Sequence, residues 1–249
     1  MSRRRWSVVL VFGVALAVVT ACSGPSTPAP ATGSSSRPAP KAVNIPGALP
    51  GSQVENAVKS AFSGATAVHI KGTLTNSTGT LSLDLQLNKD NTAAGTISEG
   101  GAAIPLIAVN GKFYVQFTPE MISKSTNASV GQLGSALSNK WVSSDSSLAS
   151  AMVAGLKPLL NFDSFVSSMF GQASEVPTLT GTDVVNNLPV YTYESADGSV
   201  VYVGKAGPHY LARMTAPATG SGSIDFTGWN QPVPVTPPPA SAIYTGPGA

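Results

Sequence analysis

A strict alternation of leucine with polar residues is the sequence feature that most constrains the fold. Leucine occupies positions 81, 83, 85 and 87, with Ser82, Asp84 and Gln86 between them. Successive side chains of a β-strand point to opposite faces, so this segment is a strand with one buried and one solvated face. Such half-buried strands are typical of antiparallel sheets.

Turn residues divide the rest of the chain into further short strands. Asn110-Gly111 predicts a tight hairpin, because both central residues of a type I′ turn need positive φ. Asp197-Gly198 is a second hairpin signal of the same kind. Strands are expected at 92–98, 104–109, 112–117, 178–185, 190–194, 200–205, 211–216 and 223–227.

Helical periodicity occurs in two places. The first helix is expected at 52–62, with Ser52 as its cap and Glu55 completing a capping box. Pro158 is expected to break or kink the second helical region, with Asn161 or Asp163 starting its last piece. The segments of that region are 121–125, 130–137, 148–156 and 162–170. Strands, then helices, then strands predict an α+β fold without βαβ units.

The N-terminus is typical of a bacterial lipoprotein signal. Three arginines at positions 3–5 precede an apolar run at 8–19 that is short for a membrane-spanning helix. The run ends in Val19-Thr20-Ala21-Cys22, which matches a lipobox. We therefore expect removal of a signal peptide at 1–21 and a diacylglyceryl group on Cys22. The alternatives are an unmodified cysteine after a secretory signal, or an uncleaved anchor helix.

Proline marks the limits of the folded part. Residues 23–50 contain seven Pro and residues 232–249 contain six, out of 20 in the chain. Such segments bury little apolar surface and favour extended conformations. The predicted organisation is a signal peptide at 1–21, a lipidated Cys22 with a Pro-rich linker at 22–50, a globular domain at 51–231 and a Pro-rich tail at 232–249.

The composition excludes several classes of function. Only 10% of residues are charged, and removal of the three signal arginines leaves 11 basic against 12 acidic residues, a net charge of −1. Nucleic-acid binding is disfavoured, because it requires clustered Lys and Arg. The single Cys excludes an internal disulfide and a multi-cysteine metal site.

The sequence contains no marked active site. The two histidines, His69 and His209, are interpreted as surface or hydrogen-bonded strand positions, and no G-x-S-x-G or H-E-x-x-H motif is present. A pair of carboxylates that meet in space stays open, although nothing marks one. We expect no catalytic residue, no metal and no cofactor, with an envelope hydrolase as a remote alternative.

The stretch at 148–170 is rich in Leu, Met, Val and Phe at helical spacing. It is either one side of a solid core or one wall of a cavity for an apolar ligand. Both interiors are apolar, so the pattern does not choose between them.

The order of these parts resembles the actinobacterial LppX/LprA/LprF/LprG lipoproteins, which are distantly like the LolA lipoprotein carriers. The most specific block is the strand that leads into Trp229 and then a Pro-Val pair. The resemblance covers Cys22 with its Pro-rich segment, the first helix, and residues 67–70, 109–115, 181–191 and 224–237.

The resemblance implies a strongly curved antiparallel sheet wrapped over a few helices, with a hydrophobic cavity between them. It further implies a lipoprotein on the extracytoplasmic face of the cell membrane that binds acylated lipids or glycolipids and shuttles them across the envelope. The alternative is an envelope scaffold or partner-docking domain with a solid core. The cavity-lining positions expected on this basis are Leu81, Leu83, Leu85, Phe113, Val115, Phe117, Met152, Leu156, Phe162, Phe165 and Met169.

Overall fold

The computed structural model describes residues 37–77, 79–125, 127–165 and 176–249. Within these residues, eleven antiparallel strands form one sheet and short helices lie between them. The first half comprises α1 (Gly51–Gly64), β1 (Ala67–Asn76), β2 (Gly79–Asn88), β3 (Ala93–Glu99), β4 (Ala102–Val109), β5 (Lys112–Phe117), α2 (Pro119–Lys124), α3 (Ala128–Gln132), α4 (Gly134–Leu137) and β6 (Lys140–Ser143). The second half comprises α5 (Ser150–Leu160), β7 (Thr178–Val185), β8 (Leu188–Glu194), β9 (Val200–Gly204), β10 (Leu211–Thr215), β11 (Ser221–Thr227) and a 3-10 helix at Ala240–Ala242.

The sheet consists of two meanders joined at their ends. Its strand order is β6-β5-β4-β3-β2-β1-β11-β10-β9-β8-β7, so β1 and β11 are the central neighbours. Ile70 of β1 lies between Leu85 of β2 and Phe226 of β11. The edge strands β6 and β7 are not paired with each other, so the sheet is open. The α+β antiparallel prediction is confirmed.

Glycines permit the close approach of the two central strands. Gly72 of β1 and Gly222 of β11 each face the backbone of the other strand. A Cβ at Gly72 would overlap the carbonyl oxygen of Ser223, and Gly222 has a φ of +98° that L-residues rarely adopt. Glycine at such points lets two strands approach closely and permits a local bend of the sheet.

Most predicted strands are confirmed within two residues, and the turns follow the expected chemistry. Asn110 and Gly111 have φ values of 54° and 73°, as a type I′ hairpin requires. Strand β6 was not predicted, because Lys140–Ser143 is too short to show a periodic pattern. The predicted helix at 130–137 is two short helices separated at Leu133.

Two details of the helix prediction are wrong. Helix α1 begins at Gly51 after Pro50, with no side-chain cap, so Ser52 lies inside the helix and Glu55 pairs with Lys59 at 2.6 Å instead of closing a capping box. Helix α5 continues through Pro158 to Leu160, so the proline does not break the helix at its own position. The expectation for Asn161 is confirmed, since its side-chain oxygen accepts from the Ser164 N–H at 2.8 Å.

The N-terminal Pro-rich segment packs on the β7 edge of the sheet. The Val43 N–H donates to the Leu179 carbonyl at 3.0 Å, and the Tyr193 hydroxyl donates to the Leu49 carbonyl at 2.9 Å. Arg37 pairs with Glu194 at 2.6 Å. Residues 37–50 are therefore part of the packed unit, which extends beyond the predicted limits of 51–231.

The C-terminal Pro-rich tail packs on the opposite edge. Ile243 forms a parallel bridge with Trp141 of β6, and the Tyr244 N–H donates to the Trp141 carbonyl at 2.8 Å. Covering an edge strand prevents its free backbone groups from pairing with other chains. The segment at 232–249 thus completes the fold at the β6 edge.

A buried asparagine fixes the start of this tail. The Asn88 side chain is 4% exposed and donates to the Val233 carbonyl at 2.8 Å, while its oxygen accepts from the Val233 N–H at 3.3 Å. The same oxygen accepts from Gln86 at 3.1 Å, and the amide nitrogen also donates to Thr92 at 2.9 Å. The amide is fully satisfied, which makes it a specific clamp between β2 and the tail.

Replacement of Asn88 by Ala is expected to free the tail. The exchange removes the two hydrogen bonds to the Val233 backbone, each of which contributes about 0.5–1.5 kcal/mol net. Urea unfolding should report that loss, and amide hydrogen exchange should increase at 231–249. Thr80→Ala is the control, because Thr80 is an exposed residue of β2 whose hydroxyl contacts Thr75 and not the tail. An unchanged exchange rate in the tail would contradict the clamp.

Candidate functional site

The predicted lining positions of the strands share the inner face of the sheet. Leu83, Leu85, Val115 and Phe117 are at most 5% exposed. Leu81 and Phe113 are partly buried and pack against the same cluster. The faces assigned from the alternation are therefore those that the structure buries, although β2 and β5 are separated by β3 and β4.

The predicted lining positions of the helices pack against this face. Leu156, Phe162 and Phe165 are at most 8% exposed and belong to the same cluster, with Met152 partly buried beside them. Met169 lies outside the described residues. The structure thus brings every described position of the predicted lining into one continuous apolar interior between the sheet and the helices.

Helix α1 contributes an aromatic centre that was not among the predicted lining positions. The Phe62 ring is fully buried and contacts Phe162, Phe226 and Trp229, with centroid distances of 6.2, 6.1 and 4.6 Å. The Trp229 ring stacks on Tyr210 at 4.5 Å. The helical spacing of Val54, Val58 and Phe62 in the sequence was the signal for this buried face.

Lysine side chains cover two of the predicted lining rings. The Lys89 ammonium lies 5.2 Å from the Phe162 ring centroid, and the Lys157 ammonium lies 5.5 Å from that of Phe113. Lys89 also pairs with Asp163. The alkyl stem of lysine packs on apolar surface while its charge stays in water, so these residues give the interior a cationic border.

A separate open groove lies at the β7 edge. Its volume is about 430 Å³, and it is lined by residues 42–45, 48–51 and 177–179. Its lining side chains are apolar except for Asn44 and Thr178, but exposed backbone groups make a large part of its surface polar. The groove follows from the docking of the Pro-rich segment on β7, because that contact forms one of its walls.

The histidines occupy structural positions on strand and turn. On the outer face of the sheet, Asp84 accepts from His69 at 2.7 Å and from Lys71 at 2.7 Å. The Lys71 hydrogen bond, followed by that of His69, lowers the pKa of Asp84. His209 contacts the Gly204 carbonyl at 3.0 Å from a turn. Both histidines are hydrogen-bonded, as the sequence interpretation expected.

The His69 network has the composition of a catalytic triad but not its geometry. The Thr227 hydroxyl lies 3.5 Å from the His69 Nδ1, beyond the usual distance between a nucleophile and its base. The side chains of His69 and Asp84 are 35% and 47% exposed, so water reaches the network. In the described residues no cluster of three potential metal ligands occurs. That the chain is not an enzyme stays a prediction.

An ion pair between β10 and β11 should make stability depend on pH. Arg213 binds Asp225 through two hydrogen bonds, which lower the Asp225 pKa from its ordinary 3.8. A lowered folded-state pKa stabilises the fold above 3.8, and this stabilisation is lost as pH falls through the folded pKa. Asp225→Asn is expected to lower the free energy of unfolding by about 1 kcal/mol at neutral pH and to leave it unchanged in strong acid. Urea unfolding across pH measures the difference.

The control for that ion pair is the same exchange in an Arg213→Met background. Without the guanidinium, the pKa of Asp225 has lost its main cause of lowering, so Asp225→Asn should have a much smaller pH-dependent effect. An equal effect in both backgrounds would show that Arg213 is not the relevant partner.

The described residues contain no helix that is both long and apolar enough to cross a membrane.

Comparison of the sequence with protein-family models and with curated proteins finds no match. Among solved structures, LprF from Mycobacterium bovis superposes with a TM-score of 0.50 and 16% identity, covering 76% of this chain and 96% of LprF. The chain therefore has the LprF fold. The Mycobacterium tuberculosis lipoprotein LppX gives a TM-score of 0.43 at 16% identity, covering 74% of this chain and 99% of LppX. The LprF fold confirms, at the level of architecture, the likeness read from the sequence.

Proposed function

We propose that this chain is a lipoprotein, anchored at Cys22 to the extracytoplasmic face of the cell membrane, that binds acylated lipids or glycolipids and shuttles them across the envelope. The observation that carries the proposal is the continuous apolar interior between sheet and helices, in a chain with the LprF fold. Its buried side chains are almost all aliphatic or aromatic. An interior of this kind suits alkyl chains rather than a polar substrate.

The energetics of such a carrier follow from burial alone. Each CH₂ group removed from water gains about 0.8 kcal/mol, whether in a bilayer or in an apolar protein interior. Transfer between the two is therefore nearly balanced, and a carrier needs this balance both to load and to unload. The Lys157 ammonium beside the Phe113 ring, and the Lys89–Asp163 ion pair beside Phe162, fit an anionic or polar head group that stays outside the interior.

A scaffold with a solid core is the second candidate, and one observation favours it. Leu85, Val115 and Phe162 are 0–1% exposed, so the inner face is well packed where it is described. Native mass spectrometry of the chain without residues 1–22, purified from its host, separates the two. Co-purified acyl lipids are expected for the carrier, whereas a ligand-free protein would favour the scaffold.

A pair of alanines on β4 offers a matched test of where the lipid binds. Ala108 is buried on the inner face, and Ala103 is exposed on the outer face of the same strand. Ala108→Phe should fill the interior and reduce the amount of co-purified lipid, at a cost of about 1–3 kcal/mol from overpacking. Ala103→Phe should change neither quantity. Equal lipid content in both variants would place the ligand elsewhere.

A further inference from the structure

Exposed aliphatic side chains concentrate along one edge of the sheet. In the described part of the chain, five large apolar residues are exposed, and four of them lie on or next to β7: Val43 at 41% and Val176 at 65% near its start, and Val184 at 63% and Leu188 at 36% at the hairpin to β8. The fifth, Val233, belongs to the C-terminal tail and is 51% exposed. We call these four residues, with the open groove between 42–51 and 177–179, the β7 edge surface.

The backbone of this edge is not arranged for pairing with another strand. The Leu179 carbonyl already accepts from the Val43 N–H at 3.0 Å, and a bulge interrupts the register between Leu179 and Gly181. The Asp183 carboxylate accepts from the Val184 N–H at 2.7 Å. Bulges and edge charges are features that prevent strand addition. The irregular register and these two paired backbone groups make the edge poorly suited to strand addition, and apolar side chains are among those it exposes.

The course of the chain brings the N-terminal tether to the same edge. The described residues begin at Arg37, which pairs with Glu194 of β8 beside this edge. Cys22 precedes Arg37 by 15 residues, which span at most about 50 Å when extended. Strand β7 is about 26 Å long at the usual rise per residue. A lipid on Cys22 can therefore hold the whole edge against a membrane.

We propose that the β7 edge surface docks on a lipid bilayer, with Val176 and Val184 entering the head-group region and the groove taking an alkyl chain. The proposal rests on the membrane anchor of the proposed function. Exposed apolar surface of this kind marks membrane contact, and binding strength follows the apolar area buried. The described charges near the edge balance in sign, since Lys41 and Asp183 are opposite and Arg37 pairs with Glu194. The docking is therefore expected to be apolar in origin and to persist in high salt.

Site-directed spin labelling of the full lipidated chain tests this docking. Val176→Cys and Val184→Cys each introduce one thiol, and Val233→Cys is the matched control at a similarly exposed valine away from the edge. The proteins are reconstituted in phosphatidylcholine vesicles, and collisions of the label with oxygen and with a water-soluble nickel chelate are measured. Labels at 176 and 184 should lose collisions with the chelate and gain collisions with oxygen, also in high salt. The label at 233 should keep its collisions with the chelate.

Several outcomes would overturn the proposal. Equal access of the chelate to all three labels excludes contact with the bilayer. If the labels at 176 and 184 stay protected from the chelate in detergent, and their spectra show magnetic broadening between labels, a second copy of the chain covers this surface instead of the bilayer. Labelling of the unmodified protein at Cys22 would show a free thiol and remove the anchor. Lipid occupancy measured by mass spectrometry is independent of these results, so docking and carriage can fail separately.

Discussion

Exchange of Cys22 for Ala is expected to abolish incorporation of labelled palmitate and to end lipid-dependent membrane attachment. The expected processing removes the apolar run at 8–19 together with the signal peptide, so retention of the mature protein depends on the acyl chains. Two acyl chains give stable anchoring, because each buried CH₂ contributes about 0.8 kcal/mol. We expect complete loss of palmitate incorporation, measured by acyl labelling, and complete loss of lipid-dependent attachment, measured by membrane fractionation.

The Cys22→Ala exchange also blocks cleavage of the signal peptide. The uncleaved apolar run at 8–19 can then hold the protein at the membrane without a lipid, so a second variant without this run is needed. A variant in which residues 1–21 are replaced by a general secretory signal, with Ala at position 22, should be found in the soluble fraction. Ser23→Ala, next to the cysteine, is the control and should leave both labelling and attachment intact. Membrane retention of the protein with the general secretory signal would show that the lipobox is not its anchor.

Replacement of Phe62 by Ala is expected to lower the free energy of unfolding by about 3–5 kcal/mol. The Phe62 ring is fully buried and joins α1 to β11 and to the helical region at 162–165 through Phe226, Trp229 and Phe162. Its removal takes contacts from three elements at once. A loss of this size is a large part of the roughly 5–15 kcal/mol that stabilises a domain. Urea denaturation followed by tryptophan fluorescence measures it, because Trp229 is in contact with the ring.

Val233→Ala is the control for this experiment. Its side chain is 51% exposed, so the change should stay within about 0.5 kcal/mol. A loss below about 1 kcal/mol for Phe62→Ala would mean that the ring does not support the interior. The same unfolding measurement is repeated on protein with and without co-purified lipid. Bound lipid should raise the free energy of unfolding, because a ligand stabilises the state that binds it.

The inner and outer faces of the strands were predictable from the sequence, and so was the position of most turns. The alternation at 81–87 and the spacing of Phe113, Val115 and Phe117 assigned the buried face, because strand geometry fixes the direction of each side chain. Asn110-Gly111 fixed the hairpin between β4 and β5, because its backbone requires positive φ. These signals are local, so one sequence contains all the information they need.

The aromatic centre around Phe62 and the His69 network were not predictable from such local signals. Phe62 is far in sequence from Phe226 and Trp229, and it meets them only when β1 and β11 become neighbours. The same pairing brings Thr227 beside His69, which β2 holds through Asp84. No periodic pattern predicts which strands become neighbours, because that choice depends on the closure of long loops and the packing of the whole sheet.

The sequence by itself determined the α+β class and the buried faces, because both follow from local periodicity. It also predicts the lipid anchor at Cys22 from a short motif. Only the tertiary structure decided the role of the two Pro-rich segments. Composition indicated a free linker and a free tail, yet Val43 docks on β7 and Ile243 on β6. Extended Pro-rich chain has no hydrophobic period of its own. Its position is set by the open strand edges and by the buried Asn88, which exist only once the sheet has formed.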